Sequence, residues 1–178
     1  MKLTNFLLED NDTYEFGCVM LYFDFPEIKQ IHEMIKQDDV FTDEGDRSFG
    51  LEDEPHTTLL YGLHREVTDQ DIKDVLTNFT FGYCKVFNAS LFENKDYDVL
   101  KFDVEGQALH SANRLLKEFP HTSTFPTYHP HMTIGYLKSG EGEKYVEKFK
   151  GLQFKLLPQY AIYSKPNGEQ IRIEINID

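Results

Sequence analysis

The order of predicted secondary-structure elements in this chain occurs twice: strand, helix, loop, strand, helix, strand. The sequence separation between the middle of the opening strand and the histidine that begins the second strand is 33 residues in the first half (Phe23 to His56). It is 29 residues in the second half (Phe102 to His131). The repeated order predicts two lobes related by a pseudo-two-fold axis. We therefore expect an α+β fold in which two pseudo-symmetric lobes, with mainly antiparallel sheets, face a central cleft.

Apolar periodicity sets the predicted boundaries of these elements. A single domain over 1–178 would contain one lobe over about 16–92 and a second over about 97–177. Thr68 is the expected N-cap of the second helix, and the turn 165–168 joins the last two strands as a hairpin. Strands are predicted over 16–24, 56–61, 83–92, 97–104, 131–137, 154–163 and 171–177, and helices over 27–37, 69–78, 107–119 and 141–149.

Two tripeptides with the pattern His-x-Thr are the candidates for chemistry: His56-Thr57-Thr58 and His131-Met132-Thr133. Each begins a predicted strand, and because side chains alternate between the two faces of a strand, the His and the Thr of each motif share one face. If the lobes meet along these strands, two imidazoles and two hydroxyls converge on one small space. Histidine titrates near neutral pH, so this set suits general acid–base chemistry on a phosphate and requires no metal. We therefore predict His56, Thr58, His131 and Thr133 as catalytic residues.

The charge of the chain constrains its ligands. There are 31 Asp and Glu against 18 Lys and Arg, which gives a formal net charge of −13. Long nucleic acids are held mainly by neutralisation of their phosphates along a basic track. The nearest feature to such a track is a scattered set of lysines, Lys138, Lys144, Lys148 and Lys150. The composition therefore argues against a long RNA or DNA substrate, whereas a small anionic ligand needs only a few local positive groups.

The expected location is the cytoplasm. Cys18 and Cys84 lie in apolar strand-like segments, where buried free thiols are expected rather than a disulfide. No apolar run reaches the roughly 20 residues needed to span a bilayer, so no membrane partner is expected. The first ten residues carry one Lys and a short apolar patch that ends in acid, which is too short for the core of a signal peptide.

The two motifs, each followed by a hydrophobic residue and placed in matching positions of two lobes, resemble those of the 2H phosphoesterase superfamily; the resemblance extends from about Phe16 to Ile177. That superfamily includes 2′-5′ RNA ligases, RNA cyclic phosphodiesterases and viral antagonists of host nucleotide signalling. The stretch from Pro55 to Leu63, together with the acidic composition, further resembles the bacteriophage anti-CBASS phosphodiesterases. Those enzymes destroy the cyclic oligonucleotide messengers of bacterial antiviral defence. The resemblance implies a phosphodiesterase without a cofactor that acts on a small cyclic nucleotide in the host cytoplasm.

The predicted residues account for the chemistry of such an enzyme. Cleavage of a 3′–5′ phosphodiester bond beside a free 2′-hydroxyl needs a base that removes the hydroxyl proton and an acid that protonates the departing 5′-oxygen. One neutral and one protonated imidazole would supply both, and either His56 or His131 can take either part. Thr58 and Thr133 would donate hydrogen bonds to the non-bridging oxygens as charge develops there. The first product would be a 2′,3′-cyclic phosphate, which the same pair could open with water.

Residues that bind the rest of the substrate are predicted from position. We predict that Lys138, just beyond the second motif strand, offsets phosphate charge, and that Glu141 belongs to a lid that contacts a base edge, by analogy with lid-bearing relatives. Among the tyrosines we favour the loop-borne Tyr14, because Tyr61 and Tyr136 lie five residues beyond their histidines and so on the opposite face of an ideal strand. The candidates for stacking on a base are Tyr14, Tyr61, Tyr136, Tyr160 and Tyr163.

Several alternatives are left open by the sequence. His129 and His131 could be metal ligands, with His110, His121 or a loop carboxylate completing the shell, although no Cys or Asp/Glu spacing supports such a site. Neither Gly-x-x-x-x-Gly-Lys nor Gly-x-Gly-x-x-Gly occurs, so the nucleotide-binding folds that carry them are not indicated. Within the phosphodiesterase class, the alternative substrates are RNA ends with a 2′,3′-cyclic phosphate or a 2′-5′ linkage. A non-catalytic sponge that only binds a cyclic nucleotide is the alternative of another class.

Overall fold

One eight-stranded antiparallel sheet dominates the computed structural model, which describes residues 7–8, 13–123 and 125–178. The strands of these residues are β1 (Leu7–Leu8), β2 (Thr13–Tyr14), β3 (Gly17–Phe23), β4 (His56–Leu63), β5 (Thr80–Phe81), β6 (Cys84–Glu93), β7 (Tyr97–Glu105), β8 (His131–Lys138), β9 (Gln153–Leu156), β10 (Pro158–Ser164), β11 (Gln170–Glu174) and β12 (Asn176–Ile177). From edge to edge, the large sheet has the order β11-β10-β3-β4-β8-β7-β6-β9. β1 with β2, and β5 with β12, form two small sheets.

Short helices pack beside this sheet, and the α+β fold class predicted from the sequence is confirmed. The prediction that Thr68 is the N-cap of α2 is also confirmed: its hydroxyl accepts the Asp71 N–H (3.1 Å), and the Asp71 carboxylate accepts the Thr68 N–H (2.9 Å). No helix within the described ranges is long and apolar enough to cross a membrane. The helices are α1 (Ile28–Glu33), α2 (Asp69–Leu76), α3 (Gln107–Leu116) and α4 (Glu143–Lys148).

All four helices are shorter than the periodicity predicts, and side-chain hydrogen bonds explain the difference at α4 and α1. The buried carboxylate of Asp98 accepts the N–H groups of Gly140 (3.1 Å) and Gly142 (2.9 Å), which holds the residues before α4 in a turn. The hydroxyl of Tyr145 in α4 accepts the Lys36 N–H (2.9 Å), which draws the chain out of helix geometry beyond α1. Tertiary contacts of this kind override the local helical pattern.

The strands of each half of the sheet do not all come from the same half of the sequence. β10 and β11 lie beside β3 and complete the half that contains β4, whereas β6 lies beside β7 in the half that contains β8. β6 and β7 form a hairpin because only residues 94–96 connect them. The halves of the sheet therefore differ from the lobes expected over 16–92 and 97–177: residues 84–93 belong with the second half and residues 158–174 with the first.

The two cysteines are free and buried, as predicted. Burial raises the pKa of Cys18 to about 12 and the pKa of Cys84 to about 11. Because the thiolate is the reactive form of cysteine, neither side chain is poised to act as a nucleophile at neutral pH.

At the centre of the sheet, a single pair of residues joins the two motif strands. Within the described residues, β4 and β8 pair only at Thr57 and Met132, and both of these side chains are fully buried. Beyond this pair the two strands separate.

Where β4 and β8 separate, each strand instead forms backbone hydrogen bonds with the loop that precedes the other strand. The Glu52 N–H, just before β4, donates to the Ile134 carbonyl of β8 (2.8 Å). The Thr122 N–H, in the segment before β8, donates to the Gly62 carbonyl of β4 (2.8 Å). These reciprocal crossings relate the two motif strands by an approximate two-fold axis.

Close backbone approach at one crossing requires glycine. Gly62 has φ +115°, a conformation that favours glycine, and a Cβ at this position would clash with the Thr122 carbonyl oxygen. Because the obstructing atom belongs to the backbone, no side-chain rotation can relieve the clash.

We expect Gly62→Ala to lower the free energy of unfolding by more than the roughly 1–2 kcal/mol that a left-handed backbone costs a non-glycine residue, because the clash adds to that cost. Gly140→Ala is the matched control: its φ is +86°, and no atom of the described residues lies within 4 Å of the added Cβ. Urea unfolding followed by circular dichroism measures both variants. Equal losses in the two would contradict a steric constraint at the crossing.

Candidate active site

The four residues predicted to be catalytic lie on one face of the sheet. His56 and Thr58 are at the start of β4, and His131 and Thr133 are at the start of β8. All four are half-buried, whereas the residue between them in each motif is fully buried on the opposite face. The alternation of the two strands therefore presents both imidazoles and both hydroxyls to the same side.

The antiparallel register fixes how these side chains face one another. Because the central pair joins the middle residues of the two motifs, the next positions along the strands place His56 opposite Thr133 and Thr58 opposite His131. All four of these side chains line one cavity. The two imidazoles thus occupy one diagonal of a small quadrilateral, and the two hydroxyls occupy the other.

Both imidazoles make the same hydrogen bond to the backbone. Nδ1 of His56 lies 2.9 Å from the Glu54 carbonyl oxygen, and Nδ1 of His131 lies 3.0 Å from the His129 carbonyl oxygen. A carbonyl oxygen can only accept, so Nδ1 is the donor in each ring and carries the hydrogen. In the neutral ring Nε2 is then the basic nitrogen. The two rings are therefore held alike, with Nε2 as the atom that can exchange a proton.

A bulge just after the Thr of each motif changes which residues share a face with the motif histidines. β4 has an extra residue, Leu59, relative to β3, and β8 has an extra residue, Ile134, relative to β7; a second extra residue of β4, Gly62, lies beyond Tyr61. An extra residue shifts the alternation of side chains by one position. Tyr61 and Tyr136 therefore return to the side of the motif histidines, where they line cavities. The prediction that these tyrosines lie on the opposite face is wrong, because it assumed ideal strands.

A column of stacked planar groups supports His56. The ring of Tyr22 stacks on the His56 imidazole with centroids 4.8 Å apart, and Tyr160 stacks on Tyr22 at 5.2 Å. The Arg172 guanidinium lies over the Tyr160 ring at 4.0 Å from its centroid. Strand register places these residues, since Tyr22 is the cross-strand partner of both His56 and Tyr160. The column fixes the plane of the His56 ring.

The surroundings of His131 are different. The edge of Phe92 meets the imidazole with centroids 5.1 Å apart. Nζ of the buried Lys101 lies 4.6 Å from the Phe92 centroid, donates to the Ser90 hydroxyl (2.8 Å) and pairs with the Asp103 carboxylate (3.3 Å). Burial lowers the pKa of His131, and the positive charge of Lys101 lowers it further, against the opposing effects of the backbone hydrogen bond and Asp103. The neutral, basic form of His131 is thereby favoured.

Two adjoining cavities open at the motifs. The smaller, of about 240 Å³, is lined by all four predicted catalytic residues and also by Tyr14, Tyr22, Glu52 and Tyr136. The larger, of about 660 Å³, lies between β4, α3 and the loop that precedes β8. The two cavities share Thr58, Phe92 and His131. A ligand that reaches the catalytic residues can therefore extend into the larger space.

The structure brings only one of the three predicted ligand-binding residues to this region. Tyr14 lines the smaller cavity. Lys138 is exposed at the end of β8 and lines neither cavity. Glu141, which also lines neither, pairs with Lys144 (2.7 Å) in the turn that Asp98 holds in place. These two residues therefore lie apart from the catalytic cavities.

Among the other candidate tyrosines, Tyr163 is a core residue. It is fully buried, and its hydroxyl donates to the Val67 carbonyl (2.9 Å). Tyr160 is part of the column behind His56, where its ring already stacks on Tyr22.

Sequence reasoning missed the residues that distinguish the two histidines. Lys101 and Asp103 share one face of β7, where they alternate with the buried apolar residues Leu100, Phe102 and Val104, and two charged residues in such positions are a detectable signal. Tyr22 and Phe92 carry no such signal. Their contacts with the histidines depend on strand pairings that the linear sequence does not specify.

The alternative metal site is not formed in the described part of the chain, where no three His, Cys, Asp or Glu side chains converge. His110, His129 and His131 line the larger cavity. Nδ1 of His121 instead donates to the Phe119 carbonyl (2.8 Å), and this histidine forms a bridge to Leu63 at the far end of β4.

We expect Lys101→Met to raise the pKa of His131, because removal of the nearby positive charge stabilises the imidazolium and leaves Asp103 without its lysine. The shift should be below about one pH unit, which corresponds to about 1.4 kcal/mol. NMR titration of the imidazole protons measures it, and the exposed Lys150→Met is the control. An unchanged or lowered pKa in Lys101→Met would contradict the assigned electrostatics.

The same pKa shift has a consequence for stability. The unfolded chain binds the His131 proton near pH 6.5, and the folded chain binds it only at lower pH. Acidification through the interval between these two pKa values therefore favours unfolding, and the contribution of His131 is fully restored above it.

No protein-family model and no curated protein matches this sequence. Among solved structures, the chain is similar to Usb1 of Kluyveromyces marxianus, determined with uridine monophosphate, with a TM-score of 0.55 and 10% identity over 90% of this chain and 98% of that one. A crystal structure described as a phosphoesterase aligns with a TM-score of 0.49 and 11% identity over 90% of this chain and 96% of that one. The likeness to Usb1 establishes that the two proteins share their fold.

Proposed function

We propose that this protein is a phosphodiesterase of the 2H type, which cleaves an RNA-type phosphodiester bond beside a free 2′-hydroxyl. The observation that carries the proposal is the central quadrilateral: two imidazoles and two hydroxyls on one face, with both imidazoles tied through Nδ1 to backbone carbonyls. A binding module has no need for two identically held titrating rings. The shared fold with Usb1, whose structure contains uridine monophosphate, is consistent with a nucleotide ligand.

We assign His131 as the general base and His56 as the general acid. Burial and Lys101 lower the pKa of His131, so its Nε2 is free to accept a proton at neutral pH. Nε2 of His131 removes the proton of the 2′-hydroxyl, whose oxygen forms a bond to phosphorus. The bond from phosphorus to the 5′-oxygen breaks, and Nε2–H of His56 protonates that oxygen. The products are a 2′,3′-cyclic phosphate and a free 5′-hydroxyl.

The second half of the reaction reverses the proton transfers. His56, now neutral, removes a proton from water, and the water oxygen attacks the cyclic phosphate. His131, now protonated, returns its proton to the 2′-oxygen as that oxygen leaves. Each histidine thereby recovers its starting state, so the cycle needs no proton store outside the two rings.

Hydroxyl and ammonium groups would stabilise the negative charge that develops on the phosphate. Thr58 and Thr133 lie across from the two histidines and can each donate to a non-bridging oxygen. Lys101 adds a buried positive charge beside His131 and opposite Thr133 in the neighbouring strand. This set supplies proton transfer and charge stabilisation from the side chains of the protein itself.

The substrate we favour is a small cyclic oligonucleotide messenger, which would make the protein a viral antagonist of CBASS immunity. The net charge of −13 disfavours a long nucleic acid, and the cavities at the motifs fit a compact ligand. The second candidate is the end of an RNA with a 2′,3′-cyclic phosphate or a 2′-5′ linkage. The uridine monophosphate in the Usb1 structure favours this alternative.

The test is incubation of the purified protein with three substrates: cyclic dinucleotides, 2′-5′ oligoadenylate and an RNA that ends in a 2′,3′-cyclic phosphate. Products are separated by chromatography and identified by mass. We expect cleavage in the presence of EDTA, because the proposed proton transfers use only side chains. Ligand recovered intact in stoichiometric amounts would support a nucleotide sponge and contradict the enzyme.

His56→Ala and His131→Ala are each expected to lower kcat by about 10²- to 10⁴-fold, the range typical of a lost general acid or base, while the circular dichroism spectrum is retained. His64→Gln is the matched control, since His64 lies beyond the site at the end of β4 and bonds the Thr122 hydroxyl. Undiminished turnover in either alanine variant would rule out the two-histidine mechanism.

A further inference from the structure

The two sides of the catalytic site differ in the space that they offer. On one side, the loop before β4 brings Phe41 and Phe49 against Tyr97 and Tyr136, with ring centroids 4.8–5.5 Å apart. On the other side, the loop before β8 leaves the cavity of about 660 Å³ open beside His131. The approximate two-fold symmetry of the backbone is thus broken by side chains, and a substrate has room to extend in one direction.

The orientation of α3 defines the far end of this cavity. Nδ2 of Asn113 donates to the Leu59 carbonyl (2.6 Å), which anchors the middle of α3 beside β4 just past the first motif. Lys117 follows four residues later, about 6 Å along the helix axis. The chain then continues to His121, which pairs with Leu63 at the far end of β4. Lys117 therefore lies at the end of the cavity away from the motifs.

The cavity has a lysine at each end. Lys101 is beside His131, and Lys117 is at the far end. Among the described residues that line the cavity, the only carboxylate is Asp103, which is already paired with Lys101. Lys117 forms no ion pair with any described residue, and it is half-buried. In a chain with a net charge of −13, this local positive charge is suited to an anion.

The walls between the two lysines are mainly apolar and aromatic, although the polar side chains of His110 and Asn113 are among them. They include Leu60, Phe125 and Tyr128. The Tyr128 ring is held in place because its hydroxyl donates to the Thr58 carbonyl (2.9 Å). Aromatic walls of this kind suit the stacking of a nucleic-acid base.

We propose that the larger cavity holds one nucleoside and ends in a second phosphate site at Lys117. The proposal rests on the proposed function, because it takes His131 as the base that borders this cavity. The nucleoside in the cavity is then the one whose 2′-hydroxyl attacks, and the phosphate on its 5′ side pairs with Lys117. The preferred substrate class has a phosphate on both sides of that nucleoside, as in a 5′-phosphorylated or a cyclic oligonucleotide. A nucleoside 2′,3′-cyclic monophosphate lacks the second phosphate.

The test compares the linear dinucleotides ApA and UpA with their 5′-phosphorylated forms, pApA and pUpA. We expect the ratio of kcat/KM for the phosphorylated over the plain form to be about tenfold or more in the unaltered protein, as for a charge-assisted contact to a phosphate. Lys117→Met should bring this ratio close to one, whereas the exposed Lys150→Met should leave it unchanged. Cyclic di-AMP presents the same phosphate from a ring, and Lys117→Met should raise its KM about tenfold.

The outcomes separate this proposal from the proposed function. A ratio near one in the unaltered protein, or an unchanged ratio in Lys117→Met, overturns the second phosphate site while the phosphodiesterase stands. If no substrate is cleaved, the proposed function fails, and isothermal titration of pApA and ApA then decides the phosphate site alone. Tighter binding of pApA that Lys117→Met abolishes supports the site, and equal binding overturns it. Should Lys117→Met not fold, Lys117→Gln replaces it.

Discussion

The pairing of Thr57 with Met132 is the contact on which the geometry of the candidate active site depends. A slip of one residue in the register of a strand would turn every side chain to the opposite face. Because β4 and β8 separate directly beyond this pair, few ladder hydrogen bonds fix their register. The burial of both side chains and the two reciprocal loop crossings supply the constraint instead. The core thus fixes the positions of the residues on its open face.

The sequence predicted what depends on local alternation and missed what depends on strand partners. The shared face of His56 with Thr58, and of His131 with Thr133, follows from the period of a strand. The extra residues Leu59 and Ile134 are defined only against the neighbouring strands, so the positions of the tyrosines beyond them were not predictable. The placement of β10 beside β3 likewise depends on long-range pairing.

In the candidate active site, the backbone holds the two histidines alike, but the side chains around them differ. Both imidazoles bond a carbonyl two residues earlier, so the backbone treats them alike. Tyr22 stacks on His56, whereas Lys101 and Phe92 flank His131. Burial and Lys101 favour the neutral form of His131, so a side chain on a neighbouring strand acts on one of two rings that the backbone holds alike. Under the proposed mechanism, residues outside the motifs decide which histidine is the base and which is the acid.

The exchange of strands between the halves of the sheet has a consequence for the newly synthesised chain. β3 is almost entirely buried in the folded protein, yet its partner β10 comes from residues 158–164, near the end of the described chain. While the ribosome makes the intervening residues, one edge of this apolar strand has no strand to pair with. Open edges of this kind invite association between nascent chains. The order in which the chain emerges therefore makes early chaperone protection an advantage for this topology.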